Sequence, residues 1–516
     1  MTTLNQLIGK MANHNVDGVF AKLDLTNVGD IGFQAFCLDS RQVKEGDVFV
    51  LLSSTTQTLD KSVGYARQVI EKSAYIISEI PVEKLFDADI NLKKYQQKLV
   101  SAPRIRECLG DLIQAQLQQT QQVNLPTVVA VTGTNGKTTI SQLVAQLTEQ
   151  SGKASAIMGT AGNGRLGNLT QSTHTTGDVL AVQRFVHEMG ADNIDLLALE
   201  ASSHGLDQYR LQGVPVQVAI YTNLSRDHLD YHSDMDDYAG AKARLFNRNN
   251  FPNLTHAIIN LDDDYAATML ESASKSGVQV WTYSMQANKQ ATFVAQQIKP
   301  SLTGVEIELV SDFGTVWLNS PLLGLFNVAN LLAAVAGAHA LGVDMQDMPT
   351  LVAKLRGADG RMDRVVSKKG CFIVDYAHTP DALTQVLTSL KAHCKGNLWA
   401  VFGCGGDRDK GKRPLMAQAG LAKADKVILT ADNPRSEDPI DILQDMQAGM
   451  TDEQYARIHI EPNRQTAIEY AVNQAQDNDI VVIAGKGHET YQEINGVRYD
   501  FDDRVILKEA LASILK

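Results

Sequence analysis

The chain has 516 residues, with 47 Lys and Arg residues against 59 Asp and Glu residues, so its formal net charge is −12. A hydrophobic fraction of 44% beside a charged fraction of 21% is ordinary for a globular protein and excludes general disorder. The acidic balance argues against a nucleic-acid-binding protein and against bulk attraction to anionic membranes, while local donors can still hold small anions.

Cysteine usage and hydropathy predict a cytoplasmic protein. The five cysteines are scattered without a CxxC pair, which is typical of reduced thiols rather than of a disulfide scaffold or a zinc site. The N-terminus has neither the basic start nor the apolar run of a signal peptide. The longest apolar stretch, 322–343, contains Asn327, Asn330 and His339, so we expect no membrane span.

The first predicted unit comprises residues 1–104. The apolar runs 47–52 and 74–77 predict two buried strands, and Pro103-Arg104 marks a junction. Since roughly 150 residues make a typical domain, the length predicts about three such units.

A phosphate loop is predicted in the second unit, residues 105–357. After a helix-like segment at 105–119, the β-branched run 127–131 predicts a strand that ends in the glycine-containing loop 132–139, and apolar residues at helical spacing follow. Strand, glycine loop and helix in this order are the context that a phosphate loop requires, although the full Walker spacing is absent and an ordinary glycine turn is the alternative. In this loop Lys137 would neutralise phosphate charge and Thr138 would offer its hydroxyl to Mg²⁺.

Candidate metal ligands follow the next predicted strands of this unit. Glu200 ends an apolar run, where a carboxylate could ligate a phosphate-bound Mg²⁺ or could instead cap the following helix. The loop 223–230 carries His228 between two aspartates, which from the residues alone is either a ligand or an ordinary loop histidine. The further strands, which predict a mostly parallel sheet, are expected at 194–199, 217–221 and 256–259.

The third unit, residues 358–516, repeats this pattern of strands and loops. Four apolar runs each lead into a polar loop: 372–374 into Asp375, 398–402 into Gly403, 426–429 into Asp432 and 480–483 into Gly485. Ligands of open α/β sheets gather outside the carboxyl ends of the strands. The loops therefore predict a second ligand-binding α/β domain that faces the phosphate loop.

Several motifs together resemble the signatures of the Mur ligase family, which builds the peptide stem of bacterial peptidoglycan. They are the loop 132–139 and the segments 200–204, 223–230 and 374–381. The C-terminal motifs, which are similar to those of members that add meso-diaminopimelate as the third stem residue, are 406–411, 432–435 and 484–489. The resemblance implies an α/β protein of three domains: a smaller N-terminal UDP-binding domain, a central P-loop ATPase-like domain with a mostly parallel sheet, and a C-terminal Rossmann-like domain that binds the amino acid.

The resemblance also implies an amide-forming ligase that uses ATP and Mg²⁺. ATP would phosphorylate the free carboxylate of UDP-N-acetylmuramoyl-L-alanyl-D-glutamate, and the amine of the diamino acid would attack the acyl phosphate. Such an enzyme is expected to be a cytoplasmic monomer that binds small-molecule substrates and no nucleic acid. The alternatives are a lysine-adding or folate-polyglutamating ligase of the same superfamily, which the motif 432–435 speaks against, and a P-loop protein without ligation chemistry.

For the nucleotide and the metal, the resemblance implies roles residue by residue. The positions that match ATP contacts are Gly133, Thr134, Asn135, Gly136, Lys137, Thr138, Thr139, Asn330, Arg361 and Asp375. The positions that match the metal site are Thr138, Glu200, His228 and Lys242, the last as a carbamate that would hold a second Mg²⁺. Lys137, His228 and Lys242 are therefore the expected catalytic residues. Without the resemblance, Lys242 would be interpreted as a surface lysine and Asn330 equally well as an ordinary polar residue of a helix.

Two further sets of positions match the other substrates. The positions for the UDP-linked substrate are Ser40, Thr175, Thr176, Ser202, Gln208 and Arg210, while segment 51–60 lacks the glycine-rich sequence usual in the uridine pocket. The positions for diaminopimelate are Arg408, Asn433, Arg435, Gly485 and Glu489. A guanidinium can bind the distal carboxylate in two-pronged fashion and Glu489 can accept an ammonium, whereas lysine lacks that carboxylate and would leave Arg435 unpaired.

Overall fold

The computed structural model describes residues 1–10, 25–54, 58–171, 175–287, 289–301, 304–357, 360–365, 367 and 370–514. Residues 55–57 of the segment 51–60 lie outside these ranges, and so does residue 358, where the third unit is predicted to begin. The chain is an α/β protein whose three larger sheets succeed one another along the sequence. The predicted fold class is therefore confirmed.

The first of these sheets has four parallel strands in the order β3-β4-β5-β6. The N-terminal elements are β1 (Thr2–Thr3), α1 (Leu4–Lys10), β2 (Gly32–Phe33), β3 (Phe36–Cys37), β4 (Val48–Leu51), α2 (Leu59–Val69), β5 (Tyr75–Ser78), α3 (Val82–Ala88), β6 (Leu99–Ser101) and α4 (Leu109–Thr120), with 3₁₀ segments at Ile90–Lys98 and Ile105–Glu107. The predicted strands 47–52 and 74–77 correspond to β4 and β5, all of whose residues are buried.

The second sheet is the largest, with eleven strands among the described residues. Its elements are β7 (Thr127–Thr132), α5 (Lys137–Gln150), β8 (Ser155–Gly159), β9 (Gly162–Arg165), β10 (Asn168–Thr170), α6 (Val179–Ala191), β11 (Leu196–Glu200), α7 (Ser203–Asp207), β12 (Val216–Tyr221), α8 (Met235–Ala243), β13 (His256–Asn260), α9 (Ala266–Lys275), β14 (Gln279–Ser284), β15 (Phe293–Ser301), β16 (Gly304–Ser311), β17 (Gly314–Ser320), α10 (Phe326–Ala340) and α11 (Met348–Val352), with a 3₁₀ turn at Arg244–Phe246. The strand order is β10-β9-β8-β11-β7-β12-β13-β14-β15-β16-β17, parallel from β8 to β15 and antiparallel at both edges.

The buried position of β7 explains its continuous apolar sequence. Val129 and Val131 pack in the same cluster as the apolar face of α5, whereas Val128 and Ala130 pack on the opposite face of the sheet with Val182 of α6. A parallel strand covered on both faces has no polar side, and its loops at the carboxyl end open toward the ligand. This arrangement places loop 132–139 between the ends of β11 and β12.

The third sheet has the order β18-β19-β23-β20-β21-β22, with β18 antiparallel to the other strands. The C-terminal elements are β18 (Asp363–Val365), β19 (Cys371–Asp375), α12 (Pro380–Lys391), β20 (Leu398–Phe402), α13 (Lys412–Lys423), β21 (Lys426–Leu429), α14 (Pro439–Gln447), α15 (Asp452–Tyr455), β22 (Ile458–Ile460), α16 (Arg464–Gln474), β23 (Ile480–Ala484), β24 (Tyr491–Ile494), β25 (Val497–Asp500) and α17 (Asp503–Ile514). The four strands predicted here correspond to β19, β20, β21 and β23.

The apolar stretch 322–343 forms α10, a 15-residue helix in the core of the second unit. Within the part of the chain that the structure describes, every helix is too short or too polar to cross a membrane.

Candidate active site

The predicted phosphate loop connects β7 to α5 and is shaped by two glycines. Gly133 has φ 148°, and a Cβ there would lie 1.8 Å from the Thr222 hydroxyl oxygen. Gly136 has φ 89°, and its Cβ would lie 2.5 Å from Oδ1 of Asn330. Any larger residue would therefore strain the backbone and collide with its neighbours. Because α5 begins at Lys137, its first N–H groups point into the loop and suit an anionic phosphate.

Lys137 lies at the centre of this loop. Its Nζ donates to the carbonyl oxygens of Gly133 and Thr134, at 2.8 Å each. Burial lowers the pKa of Lys137, and the nearby carboxylates of Glu200 and Asp227 oppose that shift. The ammonium is thus held against the loop backbone, beside the place where a phosphate would bind.

The Glu200 carboxylate, at the end of β11, is buried and lies beside the phosphate loop. Its Oε1 accepts from the Thr138 hydroxyl at 2.9 Å and from the Thr160 N–H at 2.8 Å, while Oε2 accepts from the Thr160 hydroxyl at 3.2 Å. A carboxylate and a hydroxyl that already touch form a hard oxygen pair, which suits Mg²⁺ that is also bound by phosphates. Among the described residues, no group of three or more His, Cys, Asp and Glu side chains is arranged to hold a metal ion.

Lys242 is buried in α8, and the interpretation as a surface lysine is wrong. Its side chain is 1% exposed, and its Nζ donates to the Gly133 carbonyl at 2.9 Å and lies 4.5 Å from the centre of the Tyr238 ring. Burial lowers the pKa of Lys242 well below its usual value, and the positive charge of Lys137 lowers it further. This shift favours the neutral amine, which is the form that can react with an electrophile.

The loop after β12 brings His228 and Asp227 into the cleft. His228 has φ 55°, its N–H is held by the Asp227 carboxylate at 3.0 Å, and burial lowers the pKa of its imidazole to about 4. Burial raises the pKa of Asp227, but His228, Lys412 and His378 outweigh it and hold the pKa below its usual value. At neutral pH His228 is therefore a neutral ring beside a carboxylate.

Of the three other residues predicted to contact the nucleotide, one lies in the cleft and two are buried behind it. Arg361 donates from Nη2 to the Thr138 hydroxyl at 3.4 Å and stacks 4.3 Å from the centre of the Tyr376 ring. Asn330 is buried in α10 behind Gly136. Asp375, at the end of β19, is buried and accepts from the N–H groups of Met362 and Ala377 at 2.7 Å each. Arg361 thus faces the cleft directly, whereas Asn330 and Asp375 lie behind it.

The residues predicted for the UDP-linked substrate form a polar row next to Glu200. Thr175 accepts from the Thr160 hydroxyl at 3.1 Å, and the Thr176 hydroxyl donates to the Glu200 carbonyl at 2.8 Å. The guanidinium of Arg210 donates to the Thr176 carbonyl at 3.0 Å and to Gln208 at 2.8 Å. Ser202 caps α7. Ser40 lies apart, buried in the N-terminal unit, where its hydroxyl donates to Gln68 at 3.1 Å.

The residues predicted for diaminopimelate converge on the carboxyl ends of β20, β21 and β23. Asn433 donates from Nδ2 to Oε2 of Glu489 at 2.9 Å, and Gly485 follows β23 with φ 116°. Arg435 has φ 53° and donates from Nη1 to the Gly406 carbonyl at 2.7 Å, and the exposed Arg408 donates to the Asp407 carbonyl at 3.3 Å.

Two cavities connect these groups of residues. The first, of about 380 Å³, is lined by loop residues 134–138, Glu200, His228, Arg361, Arg408, Asn433, Arg435, Gly485 and Glu489. The second, of about 650 Å³, is lined by Thr175, Thr176, Ser202 and Arg210, and shares His228, Arg408, Arg435 and Glu489 with the first. Gln208 lines a third cavity, of about 220 Å³, together with Arg210 and Leu38. The predicted site residues that are not among the lining residues of these three cavities are Gly133, Thr139, Ser40, Lys242, Asn330 and Asp375.

Three residues in or beside the cleft were not assigned a role from the sequence. Lys412, in the first turn of α13, places Nζ 3.7 Å from Asp227, and His378 lies 3.9 Å from the same carboxylate. Lys486 is completely buried beside Glu489. His378 and Lys486 belong to the motifs 374–381 and 484–489. Glu489 lies in the same motif as Lys486, but the other partners, Asp227 for His378 and Asn433 for Lys486, are distant in sequence, so spacing alone gives no signal for these contacts.

Comparison with known proteins identifies the family. The model of the Mur ligase middle domain matches residues 131–338, and that of the Mur ligase glutamate ligase domain matches residues 360–487. The chain is 42% identical over 492 residues to UDP-N-acetylmuramoyl-L-alanyl-D-glutamate--2,6-diaminopimelate ligase of Vibrio vulnificus strain YJ016, with 95% of this chain and 96% of that relative covered. The chain belongs to the Mur ligase family.

Further matches of this Mur ligase extend over nearly its whole length. The protein of the same name from Chromobacterium violaceum is 40% identical over 481 residues, which cover 92% of this chain and 93% of that relative. A solved structure of UDP-N-acetylmuramoyl-L-alanyl-D-glutamate--2,6-diaminopimelate ligase has a TM-score of 0.70 and 44% identity, and the match covers 97% of this chain and 99% of that chain. Because the matches cover at least 92% of the chain, they include most of the N-terminal unit, which neither family model covers.

Proposed function

We propose that this Mur ligase uses ATP and Mg²⁺ to add meso-2,6-diaminopimelate to UDP-N-acetylmuramoyl-L-alanyl-D-glutamate. The observation that carries the proposal is the first cavity, in which the phosphate loop and Glu200 of the second unit face Arg435 and Glu489 of the third. An activated acyl group and an incoming amino acid must meet in such a space. The names of relatives at 40–42% identity support the same reaction.

The nucleotide is assigned to the phosphate loop. The N–H groups at the start of α5 and the ammonium of Lys137 would neutralise the phosphates, with Arg361 closing the site from the third unit. Thr138 and Glu200 fit Mg²⁺ by the chemistry of their oxygens and would hold it, with His228 as a further ligand, and a carbamylated Lys242 would hold a second Mg²⁺. When bound, the metal supplies charge neutralisation for the phosphates.

The chemistry has two steps. A carboxylate oxygen of the UDP-linked substrate attacks the γ-phosphorus, the bond to the bridging oxygen of ADP breaks, and an acyl phosphate results. The free amine of the amino acid then attacks the acyl carbon, and the tetrahedral intermediate expels inorganic phosphate while the nitrogen loses a proton. Arg210 and Thr176 are assigned to the first substrate, where the guanidinium would orient an anionic group beside Glu200.

Specificity is assigned to the charges at the far end of the amino acid. The guanidinium of Arg435, already held by Gly406, would bind the distal carboxylate together with Arg408, and Glu489 would accept the distal ammonium. L-lysine offers no distal carboxylate, so it would leave these cations unpaired. A site built to bind such a group discriminates against an analogue that lacks it by about 10⁴-fold in kcat/KM.

We assign UDP binding to the unit 1–104, ATP binding to 105–357 and amino-acid binding to 358–516. In the first unit, Ser40 is the proposed uridine contact. Asn330 and Asp375 are also assigned to nucleotide binding, although both lie buried behind the cleft. We further propose a monomer that acts in the cytoplasm, where its nucleotide substrates are made.

One assay tests the function. The purified protein is incubated with ATP, Mg²⁺ and the UDP-linked dipeptide, with either meso-diaminopimelate or L-lysine, and phosphate release and product mass are measured. We expect product with diaminopimelate, none from the Lys137→Met variant, and about 10⁴-fold lower kcat/KM with lysine. Preference for lysine would contradict the specificity, and ATP turnover that needs neither amino acid would contradict ligation.

A further inference from the structure

Lys486 follows β23 by two residues and is a buried cation beside Glu489, which lines the first cavity. Its side chain is 0% exposed, and its Nζ lies 3.0 Å from Oε2 of Glu489 and 3.1 Å from Oδ1 of Asn433. The Asp432 carboxylate is 3.8 Å away, and the ring of Tyr491 lies at 5.5 Å. One ammonium therefore joins three side chains that come from two different strand ends.

The charges around Lys486 leave a single negative charge in its cluster. Burial raises the pKa of Asp432, but the positive charges of Lys486 and Arg464 outweigh it and lower that pKa. Burial and the Asp432 carboxylate raise the pKa of Glu489 above its usual value, and Lys486 limits that rise. Two carboxylates and one ammonium sum to −1, which is complementary to one incoming ammonium group.

We propose that Lys486 is a positioning and specificity residue, which orients Glu489 and Asn433 and keeps the Glu489 carboxylate ionised so that it can receive an ammonium group of the incoming diamino acid. This inference rests on the proposed function, because it concerns the site assigned there to diaminopimelate. Lys486 itself would not touch the reacting atoms.

The other groups facing Glu489 do not replace Lys486. Arg464 is paired with Asp503 at 2.7 Å, and both side chains are completely buried. Tyr376 and Tyr491 are phenols whose pKa values are raised by burial, so they carry no charge at neutral pH. The Lys and Arg residues that line the first cavity with Glu489 are Lys137, Arg361, Arg408, Lys412 and Arg435, and the second cavity adds Arg210 and Arg504. Among the ion pairs of the described residues, Glu489 is paired with Lys486.

The charge on Lys486 makes a specific prediction about pH. Without it, the pKa of Glu489 rises further, so the carboxylate is protonated over a range of pH in which the natural enzyme keeps it ionised. In the Lys486→Met variant the KM for diaminopimelate should therefore rise as pH falls. We expect an increase of about 10- to 100-fold near neutral pH, which is the loss of a hydrogen bond to a charged group.

The experiment measures kcat and KM for each of the three substrates across pH in the natural enzyme and in four variants. Lys486→Arg keeps the charge and should keep the pH profile, whereas Lys486→Gln keeps a donor to Asn433 but should follow Lys486→Met. The exposed Lys508, in α17, supplies the matched control Lys508→Met, which should change nothing. In Lys486→Met and Lys486→Gln, the KM values for ATP and for the UDP-linked substrate should stay at their natural values.

A loss of kcat without a change in the KM for diaminopimelate or in its pH profile would assign Lys486 a merely structural role and overturn the proposal. If Lys486→Met does not fold, the pH profile of Lys486→Gln decides the question in the same way. Natural enzyme that does not turn over diaminopimelate would instead contradict the proposed function, so the two failures are distinguishable.

Discussion

At the scale of single residues, burial changes the chemistry of the lysine behind the phosphate loop. Lys242 donates to the Gly133 carbonyl and packs on Tyr238, and its pKa is well below the usual value because burial disfavours the ammonium. The neutral amine can add to CO₂, lose a proton and become a carbamate. We therefore expect a carbamate signal in the ¹³C NMR spectrum of the enzyme in labelled bicarbonate, and its loss in the Lys242→Met variant.

The same modification predicts a dependence on dissolved CO₂. Activity of the natural enzyme should fall in CO₂-depleted buffer and return with bicarbonate, while Lys508→Met should behave like the natural enzyme because Lys508 is exposed. An active enzyme with neither the signal nor this dependence would show that Lys242 acts unmodified.

Arg435 is the second residue whose exact chemistry can be tested. One nitrogen of its guanidinium is used by the Gly406 carbonyl, and the side chain lines the cavity. Lysine would keep the charge but lose the planar fork that binds a carboxylate at two points. In Arg435→Lys we expect the KM for diaminopimelate to rise about 10- to 100-fold, measured by phosphate release.

The control for this prediction is Arg498→Lys, on the neighbouring hairpin, where the half-exposed guanidinium stacks on Tyr491 at 4.2 Å. It should leave all three KM values unchanged. An unchanged KM for diaminopimelate in Arg435→Lys would contradict the assignment of Arg435 to the amino-acid site.

Some residues of the site could be predicted from the sequence and others could not. The phosphate loop could be predicted because its glycines, Lys137 and flanking elements are contiguous in sequence. Lys412 was not assigned a role because its partner, Asp227, is distant in sequence. Lys486 is three residues from Glu489, but Asp432 and Asn433 come close to it only after folding. The depth of Lys242 is likewise a property of packing around α8 and could not be read from its own segment.

At the scale of elements, the parallel strands were predictable and the sheet edges were not. Strands such as β7 and β23 are buried on both faces, so they appear as continuous apolar runs. Strand β16 instead alternates, with Ile307 and Leu309 buried and Glu306 and Glu308 facing outward, a pattern that the search for apolar runs did not detect. The antiparallel extension β15–β17 was missed for this reason.

One buried ion pair joins three elements of the third unit. Arg464, at the start of α16, binds Asp503 of α17 through two hydrogen bonds of 2.7 and 2.8 Å and also donates to the Ala484 carbonyl at the end of β23. In Asp503→Asn the guanidinium would remain buried without a full counter-charge. We expect the free energy of unfolding to fall by about 3–5 kcal/mol.

Urea unfolding followed by Trp399 fluorescence would measure this loss, in a Trp281→Phe, Trp317→Phe background that leaves one of the three tryptophans. Glu271→Gln, in an exposed pair with Lys275, is the matched control and should cost less than about 1 kcal/mol. A loss of that smaller size in Asp503→Asn would mean that Arg464 is solvated or compensated elsewhere.

At the scale of the whole molecule, the cleft is closed by polar contacts between the second and third units. Arg361 reaches Thr138 at 3.4 Å, Asn135 reaches Asp381 at 3.4 Å, and Lys412 lies 3.7 Å from Asp227. Each contact places a group of the third unit beside the phosphate loop or the loop that follows β12. Nucleotide binding and amino-acid binding thus share one closed arrangement, which also limits access of water to an acyl phosphate.

The contact between Arg226 and Asp409 belongs to the same closed arrangement and lies outside the proposed binding residues. The two side chains are 52% and 17% exposed, with Nη2 3.5 Å from Oδ2, so an interaction of about 0.2–1 kcal/mol is expected. In Asp409→Asn the amide oxygen can still accept from the Gly411 N–H, which the carboxylate holds at 2.9 Å. The variants Arg226→Gln and Asp409→Asn should therefore act through the lost pair rather than through local unfolding.

A double-mutant cycle on kcat/KM for diaminopimelate measures how much this pair stabilises closure. If the two substitutions acted independently, their losses in kcat/KM would multiply in the double variant. We expect the kcat/KM of the double variant to be about 1.4- to 5-fold higher than that product, because either single substitution already breaks the pair. The coupling should shrink in about 1 M salt, where charges are screened within about 3 Å. The Glu271–Lys275 pair, which lies within α9, should show no coupling in the same assay. Strictly multiplicative effects of Arg226→Gln and Asp409→Asn at low salt would mean that closure proceeds without this contact.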